Sequence, residues 1–269
     1  MLMYPHLNPV AFSLGPLKVH WYGIMYMLGF LFFLYLGKWR LKKYGHPILT
    51  SKFVDDMMFY GALGVIVGGR LGYCIFYQPE YYLTHPLNII KTWDGGMSFH
   101  GGMLGVFFVM YLFSRQYKCS FFTISDFVAP LIPIGLFFGR LGNFINGELW
   151  GRLASSSLPW SMIFPQSGSM LPRHPSQLYE ALGEGIILGL ILWFYSSKPR
   201  RVGQVSGLFM ISYGFTRFIL EYFREPDAFL LTFAEKTGLS MGQWLCLPMI
   251  LVGLVIYTYA TKKVVAINE

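Results

Sequence analysis

The chain has 269 residues, of which 54% are hydrophobic and only 13% are charged. A soluble domain carries about 25% charged residues, so this composition excludes an ordinary soluble protein and indicates a polytopic membrane protein. The net charge is +8, but the basic residues lie largely in short loops between apolar runs. That distribution is typical of membrane topology and argues against nucleic acid as a partner.

Apolar runs predict the fold class, an all-α polytopic membrane protein with seven transmembrane helices in a single domain over residues 1–269. The predicted spans are residues 19–37, 54–77, 97–114, 120–140, 175–196, 205–223 and 240–260. Residues 78–96 are aromatic and contain prolines, and we interpret them as an excursion along the membrane interface. The polar segment 141–174, rich in glycine, serine and proline, predicts a small cap on the outer side.

The orientation follows from the basic residues. The loops after the odd-numbered spans and the segment after the last span hold more than half of the 21 Lys and Arg residues. Because Lys and Arg favour cytoplasmic loops, we expect the N-terminus outside and the C-terminus in the cytoplasm. The segments with unusual polar chemistry then gather near the outer side.

One such segment is 138–151, which reads F-G-R-L-G-N-F-I-N-G-E-L-W-G. Arg140 ends a long uncharged run, and an arginine within a membrane usually faces a protein interior or a watery cavity. Together with the amide side chains of Asn143 and Asn146 and a glycine-rich backbone, it predicts a site for an anionic group such as a lipid phosphate. A snorkelling arginine followed by an ordinary turn is the alternative explanation.

The sixth span carries a second polar series. Tyr213, Arg217, Glu221 and Arg224 are spaced by steps of four, four and three, so they share one helix face that must point inward. Arg217 and Glu221 alone would make a structural ion pair. A second inward arginine nevertheless strengthens the prediction of an anion site, because two guanidinium groups can hold one phosphate.

Two further residues are candidates for chemistry. His100 lies among glycines in G-G-M-S-F-H-G-G, and histidine is the natural general base near neutral pH. It is equally an interfacial histidine bonded to a carbonyl. Tyr22, in H-W-Y-G, belongs to an aromatic belt or supplies a hydroxyl to the site. No His-x-x-x-His or His/Glu spacing marks a metal site.

Several motifs together resemble the signature of the bacterial prolipoprotein diacylglyceryl transferases. They are H-W-Y-G at 20–23, S-F-H-G-G at 98–102, G-R-L-G-N-F-I-N-G-E-L-W-G at 139–151, H-P-S-Q-L-Y-E at 174–180, Y-G-F-T-R at 213–217, R-E-P-D at 224–227 and S-M-G-Q at 240–243. The resemblance covers essentially the whole chain. It implies transfer of the diacylglyceryl group of phosphatidylglycerol to the lipobox cysteine of a prolipoprotein signal peptide, with a thioether formed and glycerol phosphate released.

The resemblance also implies where the family's essential positions fall: Tyr22, His100, Arg140, Asn143, Glu148, Gly151, Tyr213 and Arg217. We therefore expect a catalytic group comprising His100, Arg140, Arg217, Tyr22 and Tyr213. We expect substrate binding by Arg140, Asn143, Asn146, Glu148, Gly151, Arg217 and Glu221.

The expected setting is the bacterial cytoplasmic (inner) membrane, with phosphatidylglycerol, prolipoprotein signal peptides and membrane lipid as partners. The reaction requires no metal and no redox cofactor. The alternative function is an anionic phospholipid transporter, or flippase, that uses the same arginines without forming a covalent product.

Overall fold

A computed structural model describes residues 2–15, 17–226, 234 and 236–262. Seven long helices dominate these residues, and each overlaps one predicted span. They are α1 (Trp21–Tyr44), α2 (Ser51–Phe76), α4 (Phe99–Gln116), α5 (Phe121–Asn146), α6 (Ser176–Tyr195), α7 (Gln204–Leu220) and α8 (Met241–Lys262). The short helix α3 (Pro79–Thr84) lies in the segment interpreted as an excursion.

Five of the described helices, α1, α2, α5, α6 and α8, are long and apolar enough to cross a membrane. The chain is therefore a mostly helical, multi-pass membrane protein. Helices α4 and α7 have 18 and 17 residues and are not among those five. The seven-span layout and the outer cap stay predictions.

Four short strands accompany the helices in the described residues: β1 (Leu2–Met3), β2 (Val10–Leu14), β3 (Leu17–His20) and β4 (Met162–Ile163). Strand β1 pairs in parallel with β4, and β2 pairs with β3 in an antiparallel hairpin. The buried Tyr4 follows β1, and its hydroxyl donates to the carbonyl oxygens of Phe144 and Ile145 at 2.8 and 2.6 Å. The N-terminal segment is thus fastened to the end of α5.

By its contacts the chain divides into two compact units, a larger one of Met1–Phe33 with Asp126–Glu269 and a smaller one of Leu34–Ser125. The single domain over residues 1–269 stays a prediction. All the candidate site residues except His100 belong to the larger unit.

In the smaller unit, glycines let α2 and α4 approach closely. A Cβ on Gly68 would lie 2.4 Å from the Gly101 carbonyl oxygen, and one on Gly105 would lie 2.0 Å from that of Gly64. Small residues spaced by four are the usual device for such contacts in membranes. No side chain fits at these positions, so the sequence spacing sets how closely the two helices pack.

The buried Arg70 of α2 explains how the segment after α2 is held. Its guanidinium donates to the carbonyl oxygens of Asn88 at 2.7 Å and Ile89 at 2.9 Å, and also to those of Gly95 and Gly96. The same group lies over the ring of Tyr82, 5.2 Å from its centroid. Arg70 therefore ties residues 78–96 back to α2 through backbone carbonyls of that segment.

In the larger unit, a distant carboxylate caps the beginning of α7. Asp126 accepts hydrogen bonds from the backbone N–H of Gly203 at 2.6 Å and of Ser206 at 2.7 Å, and from the Ser206 hydroxyl at 2.6 Å. The first N–H groups of a helix have no partner within the helix, and an acidic group there also suits the helix dipole. The contact fixes α7 against α5.

Candidate active site

Three helices of the larger unit bring five charged side chains together, which we call the arginine–glutamate cluster: Arg140 of α5, Glu180 and Glu184 of α6, Arg217 of α7 and Glu221, the residue that ends α7. Glu180 Oε2 lies 2.9 Å from Arg140 Nε, and Glu180 Oε1 lies 2.9 Å from Arg217 Nη1. Glu184 lies 3.2 Å from each arginine, through a different oxygen for each. Glu221 Oε2 accepts from Arg217 Nη2 at 2.6 Å.

The backbone of α6 explains why its two carboxylates reach both arginines. A Cβ on Gly185 would lie 2.9 Å from the Cα of Phe137 in α5, and one on Gly183 would lie 2.8 Å from Leu220 in α7. Glycine at both positions therefore lets α6 sit close to its two neighbours. Residues Ala181–Ile187 form a π-helical turn, a distortion that is rare and frequently found at functional sites.

The cluster is buried. The side chains of Glu180 and Glu184 are 1% and 0% exposed, whereas those of Arg140 and Arg217 are 18% and 11% exposed. Buried charges persist only when they are paired and hydrogen-bonded, and here each arginine has at least two carboxylate partners. The arginines are thus the members of the cluster that a ligand could reach.

The charges of the cluster balance. Two arginines face three carboxylates, and Arg224 Nη1 lies 3.8 Å from Glu221 as a third, more distant cation. Formal charges of these six groups cancel. The structural Arg217–Glu221 pair that the sequence left open is present. Among the described residues, Arg140 Nη1 has no hydrogen-bond partner, so this donor is available to an anion.

Tyr213 precedes Arg217 by one turn on α7 and stacks on Phe209, with ring centroids 5.7 Å apart. In the described part of the chain, its hydroxyl makes no hydrogen bond. A free phenol beside two guanidinium groups can donate to a bound oxyanion or accept a proton. The geometry thus agrees with the placement of Tyr213 and Arg217 on one inward face.

A second polar group follows at the end of α5. Glu148 Oε1 accepts from Asn143 Nδ2 at 2.8 Å and from Asn146 Nδ2 at 3.3 Å. Gly147, with a φ of +64°, ends the helix and turns the chain so that Glu148 folds back onto α5. Two amides thus hold one carboxylate oxygen, and the second oxygen accepts no hydrogen bond from the residues that the structure describes.

Tyr22 lies beside this group. A Cβ on Gly142 would lie 2.7 Å from the Tyr22 ring, so the glycine makes room for the tyrosine. The Tyr22 hydroxyl is 3.3 Å from that of Tyr26. Its contact with α5 brings Tyr22 to the same helix that carries Arg140 and Asn143.

Backbone hydrogen bonds to two other segments hold Gly151 in place. Its N–H donates to the His174 carbonyl at 2.9 Å, and the N–H of Arg152 donates to the Phe223 carbonyl at 2.9 Å. Arg173 adds a hydrogen bond to the Gly151 carbonyl at 3.1 Å and an ion pair to Glu225. Gly151 therefore anchors the segment that carries Glu148, and it does so through its backbone hydrogen bonds.

His100 lies in the smaller unit, in the first turn of α4, where Ser98 caps the helix by accepting from the Gly101 N–H at 3.2 Å. Its ring is exposed and contacts Phe99 edge to face. Within the described residues the imidazole makes no hydrogen bond, so the alternative of a histidine bonded to a carbonyl has no support there. Its role as a base stays a prediction.

Glu180 and Glu184 were not among the catalytic and substrate-binding residues expected from the sequence. The signal was available, because an acidic residue inside an apolar span is a functional-site hypothesis by default, and these two are spaced by four. Ser240 and Gln243 were also missed. The Ser240 hydroxyl donates to Glu221 at 3.1 Å, and Gln243 and Ser240 hold each other.

The fold and the site together define a multi-pass membrane protein with a buried, charge-paired polar centre. Residues 9–259 match the family described as "Prolipoprotein diacylglyceryl transferase", and the chain belongs to this family.

Two relatives named phosphatidylglycerol–prolipoprotein diacylglyceryl transferase illustrate the similarity. The one from Bordetella avium is 59% identical over 263 residues, which is 98% of each chain. The one from Paracidovorax citrulli is 54% identical over 269 residues, covering 98% of this chain and 99% of the relative.

Proposed function

We propose that this protein transfers the diacylglyceryl group of phosphatidylglycerol to the lipobox cysteine of prolipoproteins in the bacterial inner membrane. The observation that carries the proposal is the buried arginine–glutamate cluster, in a chain of the prolipoprotein diacylglyceryl transferase family. Near-full-length relatives at 59% and 54% identity bear the name of this activity. None of these relatives is named as a transporter.

In the proposed reaction, the cysteine sulfur attacks the glyceryl carbon that is bonded to the phosphate oxygen. A C–S bond forms, the C–O bond breaks, and glycerol phosphate leaves with the bonding electrons. Thiolate is the nucleophile, so the thiol must first lose its proton. His100 is the proposed base, with the hydroxyls of Tyr22 and Tyr213 as assisting groups.

Arg140 and Arg217 are proposed to bind the phosphate and to stabilise the charge that develops on the leaving oxygen. Donors that are already fixed in a dry site need little reorganisation during the reaction. The carboxylates of the cluster hold both guanidinium groups in this way. Glu221 completes the anchoring of Arg217.

Asn143, Asn146 and Glu148 are proposed to bind the polar head of the lipid, while Gly151 fixes their segment. A carboxylate oxygen accepts hydrogen bonds from hydroxyl groups, which suits a glycerol head group. The remaining elements of the proposal are seven spans, an outer cap over residues 141–174, an outside N-terminus and a cytoplasmic C-terminus.

The test uses purified protein in vesicles that contain phosphatidylglycerol, with a lipobox signal peptide as acceptor. The proposal predicts that the peptide gains the mass of one diacylglyceryl group, and that a peptide with Cys→Ser at the lipobox gains nothing. A phospholipid transporter would instead move labelled phosphatidylglycerol between leaflets and leave the peptide unchanged. Lipid movement without any peptide product would refute the transferase.

A further inference from the structure

We propose that Glu180 and Glu184 are positioning residues that set the spacing and direction of Arg140 and Arg217 for phosphate binding. The inference rests on the proposed function, since it gives those arginines a phosphate ligand. Glu180 and Glu184 do not themselves contact the lipid in this proposal. They act through the two guanidinium groups.

The first observation is that each carboxylate is shared. Glu184 turns one oxygen toward Arg140 and the other toward Arg217, at 3.2 Å in both cases. Glu180 does the same at 2.9 Å for each arginine. Helices α5 and α7, which carry the arginines, are therefore linked twice through α6, and the separation of the guanidinium groups follows from the width of two carboxylates.

The second observation is burial. Glu180 and Glu184 are 1% and 0% exposed, so a lipid phosphate entering the site cannot reach them as easily as it reaches the arginines. Two buried carboxylates beside a site for an anion oppose binding by simple Coulomb repulsion. Their presence is therefore explained by what they do to the arginines, which would repel each other without them.

The third observation concerns the donors that stay available. The carboxylates accept hydrogen bonds from Arg140 Nη2 and from both terminal nitrogens of Arg217, and Glu180 lies at ion-pair distance from Arg140 Nε. In the described residues this leaves Arg140 Nη1 and Arg217 Nε without a carboxylate partner. A guanidinium is planar and rigid, so fixing some of its N–H groups fixes the direction of the rest.

The direction in which lipid affinity changes distinguishes a positioning role from a purely electrostatic one. Glu184→Gln or Glu180→Gln removes one negative charge, so electrostatics alone predicts tighter binding of the anionic lipid. Positioning predicts weaker binding, because the amide keeps one acceptor but turns an N–H donor toward a guanidinium. We expect the Kd for phosphatidylglycerol to rise about tenfold or more, which is the loss of roughly one charge-assisted hydrogen bond.

The experiment measures the binding of phosphatidylglycerol to the full chain in detergent, and separately the rate of peptide modification. Asp126→Asn is the matched control, because it makes the same chemical change at a half-buried carboxylate that caps α7. It should lower the melting temperature and leave lipid affinity unchanged. Glu184→Asp is a second variant that keeps the charge but shortens the side chain by one methylene, and it should also weaken binding.

A double-mutant cycle separates positioning from general damage. If Glu184 acts through Arg140, then Glu184→Gln should weaken lipid binding less in an Arg140→Gln background than in the wild type. Additive effects would refute the proposal, as would unchanged or tighter binding in the folded Glu→Gln variants. Because binding is measured without turnover, absent peptide modification by the wild type would overturn the proposed function and leave this binding test decisive.

Discussion

Replacing Gly151 by alanine should disable the protein, although the change adds only one methyl group. The new Cβ would lie 2.4 Å from the His174 carbonyl oxygen and 2.5 Å from that of Phe223. Both neighbours are backbone atoms, so they cannot rotate away as a side chain would. Comfortable contact needs about 3.5 Å, and the segment around Gly151 must therefore shift by roughly 1 Å.

That shift has an energetic and a functional consequence. It breaks or lengthens the Gly151 to His174 and Arg152 to Phe223 hydrogen bonds, both 2.9 Å long, each worth about 1 kcal/mol. Overpacking adds about 1–3 kcal/mol, so the local cost is roughly 3–5 kcal/mol. The same segment carries Glu148, and misplacement of a site by about 1 Å can reduce turnover on the order of a hundredfold.

The assay compares the rate of lipobox-peptide modification and the melting temperature of Gly151→Ala with those of the wild type. Gly135→Ala is the control, since a Cβ there has nothing within 4 Å and no positive φ. It should change neither quantity. A Gly151→Ala protein with wild-type rate and melting temperature would refute the assignment of Gly151 as a backbone anchor.

Three further predictions concern single residues. Arg217→Lys should lower kcat/KM about a hundredfold or more, because an ammonium cannot reproduce contacts to three carboxylates; steady-state kinetics with phosphatidylglycerol checks this, and a wild-type value would contradict it. His100→Gln should reduce turnover about 10²–10⁴-fold and recover partly at alkaline pH, where the thiol ionises unaided; a pH–rate profile parallel to the wild type would remove the base role. Arg70→Gln should destabilise the protein by about 3 kcal/mol through lost charged hydrogen bonds, which thermal unfolding measures, while lipid affinity stays unchanged; weaker lipid binding would contradict its structural role.

The positions of the long helices could be predicted from the sequence, because apolar runs of spanning length admit little else in a membrane. Their ends were harder to predict. Helix α1 continues to Tyr44, seven residues beyond the predicted end at residue 37, because basic residues form helix as readily as apolar ones do. Hydropathy predicts where a helix leaves the apolar part of the membrane. It does not predict where the backbone hydrogen bonds of the helix end.

The partners of the charged residues could not be predicted from local sequence. Arg70 and Arg140 stand in the same tetrapeptide, G-R-L-G, yet Arg70 binds backbone carbonyls and Arg140 binds two glutamates. The difference between the partners of the two arginines arises only from tertiary packing. An acidic residue within an apolar span marks Glu184 as a candidate, but its partners are two arginines that are 44 and 33 residues away in sequence.

The most direct test of diacylglyceryl transfer is a single-turnover reaction with phosphatidylglycerol whose diacylglyceryl part carries an isotopic label. Tandem mass spectrometry of the peptide product locates the label, and the released glycerol phosphate is quantified in the same sample. Diacylglyceryl transfer predicts a labelled diacylglyceryl group on the cysteine sulfur and one glycerol phosphate for each modified peptide. A peptide without label, or label on any residue other than that cysteine, would contradict it.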